Sequence, residues 1–543
     1  MANQLKGRVP RRCNALTYRG TVPRHVNALN QREVDIALST FIRPDFRLPL
    51  ASFTQQTQPA QPLNPDFSFN PDLQKMTSGK QLLVDDLPFP IEDLQTHYEN
   101  GYLLARQGIK FIKPNHPSCV RCGNQDQTMF AQFPCARCGQ AQCTYCRKCL
   151  MMGRISSCTQ LISWAGPTPL PEAPITATAP LLAWNGELSE GQQRASKTVI
   201  EAIDHHEELL VWAVCGAGKT EVLFAGIERA LTQGQRVCIA TPRTDVVLEL
   251  TPRLQAAFPT IPISSLYGGS PDRHTFSQLT IATTHQLLRF YQAFDIIIVD
   301  EVDAFPYSTE ETLQHAVKQA RKPESAHIFL TATPNPKWQK QCRTGKRTFV
   351  TIPARYHRNP LPVPEFAWCG NWQKQLKAKT IPQNIMKWIT ERLADNKQIL
   401  LFVPRINLFE HILPLLQTVH PATEGVHSED PARKEKVMMM RNRELSILVT
   451  TTILERGVTI PNIDVAVLGA EDRIFTESAL VQIAGRVGRS AACPTGTITF
   501  FHFGKSKAMV NARRQIIEMN NEAAKKGLIE INTKADKKGL LEK

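Results

Sequence analysis

From Trp184 onward, apolar residues fall in short runs separated by longer stretches of helical spacing. Runs of about 4–8 apolar residues match buried strands, and apolar positions recurring every three or four residues match amphipathic helices. The pattern predicts strands at Leu209–Ala213, Val237–Ala240, Leu279–Ala282, Ile296–Asp300 and Ile328–Leu330, with a helix over Glu221–Leu231. From Ile381 it restarts, with strands at Ile399–Val403, Ser446–Thr450, Val465–Leu468 and Thr497–Phe501. Strands alternating with helices predict a parallel sheet covered on both faces. Two such blocks in tandem predict two nucleotide-handling lobes. Ahead of them the texture is irregular. A helical spacing runs from Ile91 to Leu104, Gln55–Pro71 reads as a polar linker, and Pro167–Pro180 reads as a semi-rigid one.

Length changes this picture little: 543 residues accommodate three to four domains. Charge adds more. Lys and Arg total 64 against 49 Asp and Glu, a net charge of +15, which favours an anionic partner such as nucleic acid or an acidic membrane surface. No apolar run approaches the roughly 18 residues of a spanning helix. The N-terminus, Met-Ala-Asn-Gln-Leu-Lys-Gly-Arg, lacks the apolar centre of a secretory signal. There are 14 Cys, too few for a disulfide-stapled scaffold. Their clustering between Cys119 and Cys158 points to metal binding in a reducing compartment. An integral membrane protein, a secreted disulfide scaffold and a mostly disordered chain are excluded.

The strand Leu209–Ala213 runs into Val214-Cys215-Gly216-Ala217-Gly218-Lys219-Thr220 and then a helix. Strand, glycine loop, Lys-Thr and helix form a phosphate cradle, in which backbone N–H groups and the helix N-terminus face the anion. Gly216 and Gly218 permit close backbone approach. Lys219 reaches the β- and γ-phosphates, and Thr220 ligates Mg²⁺. The plainer reading, an ordinary glycine turn, does not account for the strand and helix on its two sides. The strand at Ile296 delivers Asp300-Glu301-Val302-Asp303 to the carboxyl edge of the same sheet, where open α/β sheets bind ligands. Asp300 is expected to hold Mg²⁺ through water, and Glu301 to orient and deprotonate the attacking water.

The cysteines are Cys119-x₂-Cys122-Gly, Cys135-x₂-Cys138-Gly, Cys143-x₂-Cys146-x₂-Cys149 and Cys158. A Cys-x₂-Cys pair sets two thiolates on one side of a tight turn, as tetrahedral Zn²⁺ requires. Cys119, Cys122, Cys146 and Cys149 are the expected site. Cys135 and Cys138 come next, with Cys143 and Cys158 as their companions; two Cys₄ sites and one site with spectators both remain open. Arg121, Arg137, Arg147, Lys148 and Arg154 surround them with Tyr145, either as a single-strand groove or as a solvated basic rim.

The motifs between residues 184 and about 505 resemble those of DEAD/DEAH-type superfamily 2 helicases. The loop, which carries Ala213 where the general motif has a first glycine, resembles the Ala-x-x-Gly-x-Gly-Lys-Thr variant of that superfamily. The resemblance implies adenine recognition by Gln192. Nucleic-acid contact is implied for Arg243 in Thr241-Pro242-Arg243, for Thr283 in Thr283-Thr284-His285, and for Thr450. Thr331 and Thr333 in Leu330-Thr331-Ala332-Thr333-Pro334, with Gly457 in the string from Thr450 to Gly457, are implied to couple hydrolysis to DNA contact. Gln482 is implied at ATP. Arg486 and Arg489, in Gln482-Ile483-Ala484-Gly485-Arg486-Val487-Gly488-Arg489, are expected one helical turn apart as arginine fingers from the second lobe.

A cysteine finger ahead of such a motor, the string Cys143-Thr-Tyr-Cys146-Arg-Lys-Cys149-Leu-Met-Met-Gly-Arg154, and Val299-Asp-Glu-Val-Asp-Ala-Phe-Pro306 resemble the ComFA family of competence ATPases. The likeness implies an α/β fold of two tandem RecA-like parallel-sheet lobes, preceded by a small zinc domain and an irregular N-terminal region. Its expected divisions are 1–115, the zinc finger 116–165, a Pro-rich linker 166–183, lobe 1 at 184–350 and lobe 2 at 375–543. It further implies ATP, Mg²⁺ and Zn²⁺ as cofactors and a DNA-stimulated ATPase that drives single-stranded DNA through a ComEC-type channel during transformation. Implied partners are ComFC and DprA, and the implied location is cytoplasmic, peripheral at the inner face of the membrane. The competing readings are a primosomal replication-restart helicase and an ATP-switched zinc interaction module that does not translocate.

Overall fold

A computed structural model describes residues 61–169, 180–275, 277–456 and 460–529. The basic residues Arg8 to Arg24, residues 55–60 of the first proposed linker and 170–179 of the second, Gly457 and the lysines Lys534, Lys537 and Lys538 lie outside the described residues. The rest of the first linker is part of the folded unit, where Pro71 opens the helix Pro71–Thr77.

The N-terminal part contains β1 (Leu82–Leu83), β2 (Leu103–Gln107), β3 (Ile109–Lys113), β4 (His116–Cys119), β5 (Phe130–Phe133), β6 (Cys143–Cys146), β7 (Ile155–Ser156) and β8 (Gln160–Trp164). They form an antiparallel sheet β1-β8-β2, a hairpin β3-β4 and an antiparallel sheet β5-β6-β7. The helix expected from Ile91 spans Ile91–Glu99. It stops before Leu103 because Gly101 turns the chain with φ +79°, where a Cβ would stand 2.6 Å from the carbonyl oxygen of Pro62. The expected boundary between 115 and 116 needs correction. It would cut the β3-β4 hairpin, and β8 pairs with both β1 and β2, so residues from about 61 to 165 form one folded unit. Short strands with mixed polarity hid this unit from periodicity.

Lobe 1 is a seven-stranded parallel sheet in the order β11-β12-β10-β13-β14-β9-β15. Its strands are β9 (Glu208–Ala213), β10 (Val237–Thr241), β11 (Ile263–Leu266), β12 (Leu279–Thr283), β13 (Phe294–Val299), β14 (Arg321–Thr331) and β15 (Phe349–Ile352). Lobe 2 is a six-stranded parallel sheet, β16-β21-β20-β17-β19-β18. Its strands are β16 (Glu365–Trp368), β17 (Gln398–Phe402), β18 (Thr423–Val426), β19 (Ile447–Thr450), β20 (Ile463–Leu468) and β21 (Ile498–His502). Central strands such as β13 and β17 read as unbroken apolar runs because helices cover both faces. The strands that periodicity missed include the edge strands β15 and β16, which mix exposed and half-buried positions. They move both lobe boundaries: β15 carries lobe 1 past residue 350, and β16 brings lobe 2 forward of residue 375.

The N-terminal unit is seated on lobe 1. Gln81 Nε2 donates to the Leu288 carbonyl (3.0 Å) and to Gln319 Oε1 (2.8 Å). Gln319 Nε2 in turn donates to the Val120 carbonyl (2.9 Å), and the Arg106 guanidinium lies 3.4 Å from the centre of the Tyr291 ring. The four cysteines Cys119, Cys122, Cys146 and Cys149 share one buried apolar cluster with lobe 1 residues such as Val299 and Phe329.

Candidate nucleotide site and cysteine centres

Three neighbouring strands of lobe 1 deliver the site at their carboxyl ends. The strand β9 leads into the glycine loop, β13 ends at Asp300 and β14 ends at Thr331. Gly216 and Gly218 have φ +79° and +69°, the left-handed backbone that a close loop requires. Gly218 caps the helix Lys219–Thr232. A Cβ on Gly218 would stand 2.3 Å from Gln192 Nε2. Gln192 is buried and spent locally: its Oε1 accepts the Ser189 N–H (2.8 Å) and its Nε2 donates to the Ala217 carbonyl (3.0 Å). It braces the glycine loop from the start of the preceding helix.

The cavity lies between the lobes. Lobe 1 supplies Gly216, Gly218, Lys219, Thr220, Asp300 and Glu301; lobe 2 supplies Gln482, Arg486 and Arg489. Cys215 Sγ donates to Gln482 Oε1 across the boundary at 3.0 Å. Lys219 and Arg489 have no hydrogen bond or ion pair among the described residues. Arg486 is buried and donates twice to the Glu455 carbonyl, at 2.9 and 2.7 Å. Burial, reinforced by Arg489, pulls its pKa down to about 9. Cations gathered around a glycine loop and a helix N-terminus fit a polyphosphate. The two arginines are not on one helical face as expected. The helix ends at Ala484, and Arg486 and Arg489 follow it in a turn that contains Gly488 at φ +62°.

Asp300 is half-buried at the end of β13. Desolvation raises its pKa to about 6, against the opposing pull of Lys219. Its Oδ1 accepts the Glu301 N–H at 2.8 Å. Glu301 takes a left-handed φ of +55°, uncommon for a residue with a side chain, and its carboxylate lies 3.4 Å from Arg456 NH1. An acidic oxygen beside Lys219 and the Thr220 end of the helix is the donor set of a Mg²⁺-phosphate site.

Asp303 closes a second arrangement across the lobes. It accepts from Thr331 Oγ1 and Thr333 Oγ1 of lobe 1 and from Ser478 Oγ of lobe 2, each at 2.6 Å, and pairs with Arg456 NH2. Burial pushes the Asp303 carboxyl up, but the Arg456 guanidinium and the hydroxyl donors outweigh it and hold the group well below the ordinary carboxylate range. The expected coupling residues Thr331 and Thr333 therefore both reach lobe 2 through one carboxylate, and Thr333 Oγ1 also lies 2.8 Å from Ser478 Oγ.

The expected DNA contacts are placed less simply. Arg243 is locked to Asp245 (3.0 and 2.7 Å) and reaches the Ile453 carbonyl at 3.3 Å. Thr283 is buried at the end of β12. Thr450 is fully buried and its hydroxyl donates to the Val426 carbonyl at 3.1 Å, so its side chain is not a DNA contact here.

The cysteines gather into two groups, Cys119, Cys122, Cys146, Cys149 and Cys135, Cys138, Cys143, Cys158, with sulfurs within 4.8 Å of one another in each. In the first, Cys119–Cys149 and Cys122–Cys146 are 3.6 and 3.7 Å apart. Four sulfurs about 2.3 Å from a tetrahedral Zn²⁺ stand about 3.8 Å apart, so the first group fits zinc. Arg121 is buried beside it and donates to the carbonyls of Cys149, Met152 and Gly153, which removes it from any nucleic-acid groove. Arg137 pairs with Asp85, and Arg154 stacks on Phe133, which meets Tyr145 edge-on. Arg147 and Lys148 stay exposed.

Three stretches match known families: the competence protein ComFA N-terminal domain at residues 61–163, the type III restriction enzyme res subunit at 185–336, and the helicase conserved C-terminal domain at 377–491. The competence protein ComFA of Bacillus subtilis is 50% identical over 464 residues, 86% of this chain and 98% of that protein. The chain belongs to the ComFA family. The Streptococcus pneumoniae ComFA is 40% identical over 70% of this chain and 86% of its own length. Among solved structures, S. cerevisiae Dbp5 bound to RNA and ADP BeF3 aligns with TM-score 0.45 and 16% identity, covering 65% of this chain and 94% of that one. Membership in ComFA makes the chain a competence-related, superfamily 2 helicase-like ATPase, with ATP and Mg²⁺ as its implied ligands.

Several residues of this ComFA site escaped sequence reasoning. Asp303 and Arg456 lay inside strings that were read, but no local signal pairs residues 153 positions apart. Ser478 carried no signal at all. Arg355, only 1% exposed, donates to the carbonyls of Val487 and Gly488 at the turn that bears Arg486 and Arg489. It sits in the crossover between the lobes, where no periodicity marks it.

Proposed function

We propose that the chain is an ATP-driven motor on single-stranded DNA that serves uptake of transforming DNA. The observation that carries this reading is the composition of the interlobe cavity: a phosphate loop and two carboxylates from lobe 1 face two arginines from lobe 2. ATP binds with its β- and γ-phosphates on the loop amides and Lys219. Thr220 and Asp300 would hold Mg²⁺, Asp300 through water, and the ion would supply neutralisation of phosphate charge. Glu301 orients a water and takes its proton as the water oxygen attacks the γ-phosphorus and the bond to the β-phosphate oxygen breaks. Arg486 and Arg489 stabilise the charge on the transferred group. The Asp303 network requires both lobes, so it forms on closure and separates on opening, and it supplies the two-state element of a mechanical cycle.

The net charge of +15 supports a phosphate-rich track. Arg243, Thr283 and Thr450 belong to segments that contact nucleic acid in superfamily 2 enzymes, and backbone groups of those segments serve here where side chains are turned inward. Gln192 belongs to adenine recognition through the helix it caps. Zinc in the Cys119 group holds the finger on lobe 1. Among the described residues no helix is long and apolar enough to cross a membrane, and the reading places the chain at the inner face through protein partners. The ComFA resemblance names a ComEC-type channel, ComFC and DprA for that role.

The test is ATP turnover without DNA, with single strands and with duplex, using Lys219→Ala as the blank. Stimulation by single strands is expected, with affinity falling with salt at a slope near −0.7 per phosphate contacted. ATP turnover indifferent to all DNA would leave a nucleotide-switched docking protein in place of a motor.

A further inference from the structure

We infer that the N-terminal unit holds a second zinc ion, in a separate Cys₄ site formed by Cys135, Cys138, Cys143 and Cys158. Neither the nucleotide site nor the DNA reading is needed for it. Cys135–Cys158 and Cys143–Cys158 are each 3.7 Å apart, and all four sulfurs lie within 4.8 Å. That spacing matches the edge of a tetrahedron of thiolates about 2.3 Å from zinc, and it is far beyond the roughly 2.05 Å of a disulfide.

Chain geometry explains why eight cysteines make two sites rather than one. Cys135 and Cys138 form a knuckle of their own: the Gly139 N–H donates to the Cys135 carbonyl at 2.9 Å, and Gly139 has φ +69°. The Cys119 knuckle repeats it, with the Gly123 N–H on the Cys119 carbonyl at 2.8 Å and Gly123 at φ +70°. Cys143-x₂-Cys146 looks like a third knuckle in the sequence, but it lies in β6, paired on both sides. Residues three apart on a strand point to opposite faces. So β6 sends Cys143 to one group and Cys146 to the other. The ligands interleave along the chain, and β6, held by its pairing with β5 and β7, gives one ligand to each site.

The second group also carries the outer hydrogen bonds of a thiolate site. Ser157 Oγ lies 3.3 Å from Cys143 Sγ, and Ser156 Oγ lies 3.3 Å from Cys158 Sγ. Such contacts orient ligands and offset their charge. The two sites differ in shelter. The first group is buried throughout within the lobe 1 cluster, whereas Cys138 of the second is part-exposed and the group packs as a small cluster of its own with Phe133. The second ion is therefore the more labile one.

The test is metal content of the full chain purified under reducing conditions, by inductively coupled plasma mass spectrometry. Two zinc ions per chain are expected, and the Cys135→Ser/Cys138→Ser variant is expected to hold one. X-ray absorption at the zinc edge should show four sulfurs per zinc. Under chelator, zinc should leave in two phases of equal amplitude, and the faster phase should be missing from the double variant. One zinc per wild-type chain would overturn the proposal, as would a second zinc bound by nitrogen or oxygen. The wild-type stoichiometry and absorption spectrum decide the matter even if the double variant does not fold.

Discussion

The interlobe cavity and the cysteine unit both bury charge, and they do so by opposite means. In the cavity, guanidinium and carboxylate groups neutralise one another across a boundary that hydrolysis must open, as Arg456 and Asp303 do. Lys219 and Arg489 wait for an anion that comes and goes. In the cysteine unit, each thiolate group fits a metal that stays. The Cys119 knuckle is locked to lobe 1 by Gln319 and by shared apolar packing. A paired charge can be exchanged within a catalytic cycle; a Zn²⁺ in four thiolates cannot. The lobe boundary therefore carries exchangeable pairs, whereas the finger is packed on lobe 1.

The largest separation of the two regions should come from Lys219→Ala. Turnover should fall to the rate of a reaction without protein, because the loop loses its phosphate ligand, while zinc content stays unchanged. Loss of zinc alongside turnover would show that the regions are not independent. Next come the arginines: Arg486→Ala should lower turnover by about 10³–10⁵, the usual worth of an arginine finger, with ATP binding retained.

Asp303→Asn should act at the lobe boundary alone. Breaking one side of a buried ion pair costs up to about 3–5 kcal/mol, and less here because Arg456 keeps Glu301 and Glu455, each 3.4 Å away, after losing its shortest partner. ATP should still bind to lobe 1, while closure, read by an interlobe distance probe, should be lost. Acid should mimic the substitution only at extreme pH. The Asp303 carboxyl lies below its ordinary value in the closed form, so its contribution is full above the ordinary carboxylate pKa and disappears as pH falls through the lower, closed-form value. Closure that fails near pH 5 would contradict this placement.

The sequence exposed the two regions unevenly. The central strands of both lobes were legible because double burial demands continuous apolar runs. The loop from Gly216 to Thr220 and the pair Asp300-Glu301 were legible because their chemistry is local in sequence. Partnerships that cross the lobes were not: Asp303 with Arg456 and Ser478, and Arg355 with Val487, depend on how two sheets face each other. The cysteine spacing showed metal chemistry and the expected grouping is the one found, with Cys146 beside Cys119 and Cys143 beside Cys135. That β6 turns Cys143 and Cys146 to opposite faces was not legible, since a strand and a knuckle share that spacing. The fold around it, from residue 61, was hidden by strands as short as Leu82–Leu83.

Replacing Cys119 and Cys122 together by Ser should release zinc and loosen the finger from lobe 1, seen as faster hydrogen exchange around Gln319. The same exchange should be little changed when Cys135 and Cys138 are replaced, because that group lies outside the shared cluster. Equal loosening by both variants would erase the distinction between a docked and a distal site.

The smallest expected effect sharpens the comparison most, because it tests one methyl group at two equivalent positions. Gly123 and Gly139 close the two knuckles at nearly the same φ, +70° and +69°. An Ala at either position bears the left-handed backbone cost of about 1–2 kcal/mol. Only at Gly123 does the new Cβ meet anything: it would stand 2.6 Å from the His315 ring of lobe 1, whereas at Gly139 nothing lies within 4 Å. Crowding of that kind adds about 1–3 kcal/mol. Gly123→Ala should therefore lower the unfolding midpoint more than Gly139→Ala, and the excess measures the docking contact free of any change in metal ligands. Equal midpoints for the two variants would mean that the first knuckle is no more tightly held against the motor than the second.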